Sequence, residues 1–109
     1  MTGFEVINKG ETFQAALEKG VVTVILTKHK DLLELDFAGL NTENENYNEN
    51  IDWHRSSLRI GDEIIIRVKD IFENSEPVNV RRQEKKSKDE VDLENYKRLK
   101  RRLEEKGLI

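Results

Sequence analysis

The chain has 109 residues, a net charge of −3, and 38% charged against 36% hydrophobic residues. Soluble proteins average about 25% charged, so this one is unusually charged, and its length suits a single domain. It has no cysteine, which excludes a disulfide scaffold and a thiolate metal site, and no apolar run long enough to span a membrane. The first residues carry no basic, apolar leader, so a cytoplasmic protein is expected.

The charge is segregated. Residues 1–78 hold 8 basic and 15 acidic residues (net −7), while residues 79–109 hold 11 and 7 (net +4). The β-branched runs also fall in the first part. This predicts a β-rich region over 1–80, followed by a basic linker and amphipathic helix over 81–109, either packed on the same domain or projecting from it.

Phe4–Asn8 alternates as a strand, with Phe4 and Val6 on one face. Asn8-Lys9-Gly10 has the composition of a tight turn. Thr12–Glu18 fits period two through Phe13, Ala15 and Leu17 but also contains helix formers, and its flanking turns favour a strand. Val21–Lys28 is dense in β-branched residues with apolar side chains on both faces, which predicts a central or doubly covered strand. Lys28–Asp31 is a turn. Leu33, Leu35 and Phe37 alternate with Glu34 and Asp36, and Gly39 is expected to end that strand.

Asn41–Asn50, with five Asn and three Glu, reads as a loop. Ile51-Asp52-Trp53 rejoins the sheet, and Ser56-Ser57 breaks it. A turn at Gly61-Asp62 leads into Ile64–Phe72, where Ile64, Ile66 and Val68 share one face and Arg67 and Lys69 the other. This places Ile66 in the core. Asn74–Pro77 stops the strand.

The last element is a helix over Ser87–Lys106. Ser87 and Glu90 form a capping box, and Gly107 is the C-cap. Leu93, Tyr96, Leu99 and Leu103 make a narrow apolar stripe. Acidic residues gather in the first turns and Lys97, Arg98, Lys100, Arg101 and Arg102 later, as the helix dipole favours.

The expected fold class is therefore α+β and mostly β, an antiparallel sandwich or partly open barrel of five to six strands with one C-terminal helix. No catalytic constellation is visible. Neither His29 nor His54 has metal-ligand spacing, and no glycine loop for phosphate appears. Trp53, His54 and Arg55 form the polar cluster most worth inspecting for chemistry. The Asn/Glu loop has donors that suit a hard cation but lacks the spacing of a calcium loop. No cofactor is implied.

The favoured function is a non-enzymatic interaction or regulatory module. Tyr96, Leu99 and Leu103, flanked by Arg98 and Arg102, would anchor a protein partner or a second copy. Nucleic-acid binding through Arg81, Arg82, Lys97, Arg98, Arg101 and Arg102 is the alternative, disfavoured by the acidic body and the small number of aromatics, seven in all.

Two resemblances add to this. Leu58-Arg59-Ile60-Gly61-Asp62-Glu63-Ile64-Ile65-Ile66-Arg67-Val68 resembles the segment by which OB-fold RNA-binding domains enter a strand, which implies a β-barrel setting. More of the chain is similar to a family of small bacterial proteins of unknown function. That likeness runs through Phe37-Ala38-Gly39-Leu40, Ile51-Asp52-Trp53, Leu58–Glu63 and Tyr96-Lys97-Arg98-Leu99-Lys100. It implies an order of elements and no activity.

Overall fold

A computed structural model describes residues 1–85 and 88–107, with helix side chains from residue 90 onward. Seven strands precede one helix: β1 Thr2–Asn8, β2 Glu11–Ala15, β3 Gly20–His29, β4 Leu32–Asn41, β5 Tyr47–Ser57, β6 Ile64–Asp70, β7 Asn79–Glu84 and α1 Lys88–Glu105. They form two antiparallel sheets, ordered β2-β1-β6 and β3-β4-β5-β7. The fold is α+β and mostly β, with no closed barrel among the described residues. Its seven strands exceed the five or six read from the sequence.

Turn chemistry sets the first hairpin. Lys9 and Gly10 both have positive φ (52° and 77°), the two-residue geometry whose twist matches that of its flanking strands. The pairing Val6 with Phe13 follows from it. Of Thr12–Glu18, the part up to Ala15 is strand, as its flanking turns favoured, and the strand ends there rather than at Glu18.

The core joins the two sheets. Val6 and Ala15 from one sheet meet Leu35, Phe37 and Trp53 from the other, with Phe4, Phe13, Val22, Val24, Ile51 and Ile64 packed around them. Leu35 and Phe37 are fully buried because they alternate onto the same face of β4, away from Glu34 and Asp36.

Six sequence expectations change. Strand Val21–Lys28 is not central: β3 pairs only with β4 and lies at a sheet edge. Its β-branched run suits a pleated strand whether one neighbour flanks it or two, so composition does not place it. Gly39 does not end β4, which continues to Asn41. A Cβ at Gly39 would stand 2.8 Å from the Trp53 ring and 2.8 Å from the Val21 carbonyl oxygen, so the glycine makes room for the core tryptophan.

Ser56-Ser57 does not break β5, because both serines pair with β4. The Asn-rich loop is shorter than expected, since β5 begins at Tyr47. Arg81–Glu84, read as linker, is part of β7, and Asn50 and Glu49 on β5 stand opposite Arg81 and Arg82. A short charged strand gives no periodic apolar signal, so only its neighbour reveals it.

Ile66 also leaves the core. It faces the same side as Val6, as the alternation implied, but β6 is the outer strand there and Ile66 is 45% exposed. The Ser87 capping box lies outside the described residues. Gly107 does adopt a left-handed φ of 71° and donates its N–H to the Glu104 carbonyl at 3.0 Å, a helix C-cap.

Two substitutions test this packing. Gly39→Ala overpacks the Trp53 site and is expected to cost about 1–3 kcal/mol. Ile66→Ala is expected to cost less than the roughly 2–5 kcal/mol of a fully buried truncation. Urea denaturation of both variants, giving Gly39→Ala the larger loss, checks the assignment.

Candidate interaction surface

The cluster Trp53-His54-Arg55 does not form one site. Opposite β4, Phe37 pairs with His54 and Ala38 with Asp52, so Trp53 is the extra residue of a β-bulge. The bulge lets two consecutive side chains, Trp53 and His54, turn to the core side. Arg55 is left on the outer face, where its Nε donates to Asp36 Oδ1 at 2.7 Å. Trp53 is buried against Phe37, with ring centroids 5.5 Å apart.

His54 meets the other sheet. Its ring stacks on Phe13 of β2 (centroids 3.9 Å apart, planes 15° from parallel), and the Asn8 amide nitrogen of β1 lies 2.9 Å from Nε2. With that amide donating, Nε2 accepts and the ring is neutral, its proton on Nδ1. Burial, foremost, holds the His54 pKa below its ordinary 6.5; Glu11 opposes the shift and Lys9 adds to it. Asn8 is buried, and its Oδ1 has no partner among the described residues. From the sequence Asn8 reads as a turn residue and Phe13 as one face of a strand, and neither reads as a partner of His54. The signal was there: Asn8 continues the inward alternation of Phe4 and Val6.

This arrangement is a polar tie between sheets. On the outer face of the same sheet, Glu5 accepts from Lys69 at 2.9 Å and Arg67 at 3.2 Å. The Lys69 hydrogen bond, then both charges, hold the Glu5 carboxyl below the usual carboxylate range. Glu5 is itself buried while Arg67 and Lys69 are largely exposed, so this cross-strand cluster gives a desolvated carboxylate its two partners.

The Asn/Glu loop gathers Asn41, Glu43, Asn44, Tyr47 and Glu49 around a shallow depression. The Asn44 Oδ1 accepts from the Asn46 N–H at 2.8 Å, which spends it on the loop's own backbone. Among the described residues no three His, Asp or Glu side chains gather as metal ligands would.

The exposed apolar groups lie elsewhere. On α1, Leu93, Tyr96 and Leu99 are 53%, 63% and 53% exposed, and only Leu103 is half-buried. Among the described residues the helix has no extensive packing against either sheet, in contrast to the strands. Lys97, Arg98 and Arg101 line one side with Glu94, and Arg98 donates to Asn95 Oδ1 at 2.9 Å. On β7, Arg82 lies over the Tyr47 ring, 4.7 Å from its centroid, and 3.7 Å from Glu49, while Arg81 is exposed. The helix residues predicted as anchors are thus brought together on one exposed element, and Trp53, His54 and Arg55 are not.

No described helix is long and apolar enough to cross a membrane. No family model, curated protein or solved structure matches the chain.

The neutral, buried His54 gives a pH prediction. Its folded pKa is lowered, so its contribution to stability is complete above pH 6.5 and is lost as pH falls through the lower folded value. The melting temperature is expected to drop between neutral pH and pH 5, and the drop to flatten in His54→Gln. His54→Ala at neutral pH leaves the Asn8 amide unpaired and is expected to cost about 1–3 kcal/mol. Melting curves over that pH series, including His29→Gln as the exposed histidine control, check both.

Proposed function

We propose that this chain is a non-enzymatic protein-interaction module of regulatory or accessory kind, working in a bacterial cytoplasm, with α1 as its partner-facing element. The observation that carries the proposal is the apolar stripe on α1, which the chain leaves exposed. An isolated helix near this length is marginal in water, and most helical stability in proteins comes from burying one face. A stripe of Leu93, Tyr96, Leu99 and Leu103 follows the spacing by which an amphipathic helix fills a partner's groove. Tyr96 supplies the largest anchor, and aromatic and Arg side chains dominate binding energy at such sites. Arg98 and Arg102, one turn apart beside the stripe, suit a groove with an acidic rim.

Nucleic-acid binding is the alternative, supported by the exposed Arg81 and by Lys97, Arg98 and Arg101 along the helix. Arg82, already set against Glu49 and Tyr47, contributes less to it. The net charge of −7 over residues 1–78 opposes a polyanion.

Leu99→Glu is expected to abolish retention of the co-purifying partner while leaving the melting temperature of the β body unchanged, because α1 has no extensive packing against either sheet. Undiminished retention by Leu99→Glu and Tyr96→Ala removes the helix from this role. A salt titration with RNA and DNA separates the two functions. Phosphate contacts give affinity that falls steeply with salt, and no binding at about 50 mM salt ends the nucleic-acid alternative.

A further inference from the structure

The two sheets have four outer strands: β2 and β6 in one, β3 and β7 in the other. An outer strand presents unpaired N–H and C=O groups, and proteins blunt such edges by covering or charging them. Three of these edges are blunted. The segment 73–75 covers β2: the Gln14 N–H donates to Ser75 Oγ at 2.9 Å, the Ser75 N–H to the Gln14 carbonyl at 2.8 Å, and the Ala16 N–H to Asn74 Oδ1 at 2.9 Å. β6 carries Arg67, Lys69 and Asp70, and β7 carries Arg81, Arg82 and Glu84.

β3 has neither device. From Gly20 to Thr27 it contains no charged residue and no proline. Val21 and Ile25 are 53% and 50% exposed on its outer face, and Leu26 is exposed on the face it shares with Leu35.

We infer that β3 pairs antiparallel with β3 of a second copy, fusing two four-stranded sheets into one across a two-fold axis. An axis normal to the sheet keeps the faces matched, so residues set opposite each other must share a face. Centred on Thr23, the pairing sets Val21 against Ile25 twice, Val22 against Val24 twice and Thr23 against itself. Centred on Val24, it would set Val22 against Leu26 and Val24 against itself on the core side, but on the outer face Val21 against Thr27 and Ile25 against Thr23, leaving the exposed Val21 and Ile25 without apolar partners. The edge is therefore complementary to itself in hydrogen bonds and in apolar contacts on both faces at one register. That self-match selects a second copy as occupant over a foreign strand.

The inference does not depend on the helix, and the test keeps the two apart. Light scattering of the full chain across a concentration series is expected to give twice 12.8 kDa, falling to 12.8 kDa in Ile25→Lys. Ile25 is half-exposed, so that variant keeps its circular dichroism spectrum. Because the chain has no cysteine, single-cysteine variants report the register. Thr23→Cys is expected to crosslink two copies on mild oxidation, since residues facing each other at the axis lie within disulfide reach. Ile65→Cys, on the charged β6 edge, is not. A monomeric wild type overturns the inference, as does a dimer that survives Ile25→Lys or one that dissociates in Leu99→Glu. Equal crosslinking at positions 23 and 65 overturns it too.

Discussion

The β-bulge at Trp53 is the constraint on which the union of the two sheets depends. A regular β5 would alternate its side chains, sending either Trp53 or His54 outward. With one residue more than β4 opposes, it sends both inward. Trp53 then fills the space over Gly39 and against Phe37, and His54 reaches Asn8 and Phe13 on the facing sheet. The apolar and polar links between sheets thus come from adjacent residues on one strand. Gly39 belongs to the same arrangement, because a side chain there would occupy the position of the indole.

That single junction explains why the core is small. Val6, Ala15, Leu35, Phe37 and Trp53 cluster where the sheets meet, and the strands furthest from it lose their cover. Leu26 on β3 and Ile66 on β6 both face the core side and both remain about half-exposed. A chain of 109 residues with so large a charged fraction has few apolar side chains to spread over seven strands. It concentrates them at the bulge and leaves the outer strands and the helix stripe partly bare.

The fold class was legible because period-two alternation is a local signal. Phe4 and Val6, Leu35 and Phe37, and the inward side of β6 were all set on the correct faces by alternation alone. What the sequence withheld was which strand lies beside which. Val21–Leu26 has the composition of a buried strand, yet its place at an edge is decided by a hairpin partner on one side and none on the other. β7 was hidden for the opposite reason: Asn79–Glu84 has one apolar residue, Val80, and gains its strand conformation from β5. The bulge is nonlocal as well, being a mismatch in count between two strands. Without it, Trp53-His54-Arg55 reads as one polar cluster, although its members point in two directions. The helix was the easiest element to read, since its stripe, charge gradient and C-cap are all encoded within about five turns.

The order β3-β4-β5-β7 places the two unsatisfied features at opposite ends of one sheet. The bare edge is β3, and α1 follows three residues after β7. Neighbouring strands lie about 4.8 Å apart, so three strand spacings separate β3 from β7. A second copy joined through β3 therefore meets the chain on the side away from β7 and leaves the α1 stripe unburied. The pair would carry two such stripes, one beyond each end of the fused sheet, and a partner with two matching grooves would gain from their effective concentration without any new contact. The acidic β body and the basic helix, which in the sequence look like two halves able to neutralise each other, then have separate tasks. On the proposed reading, the body would supply a self-matching edge and the helix the surface turned towards another protein.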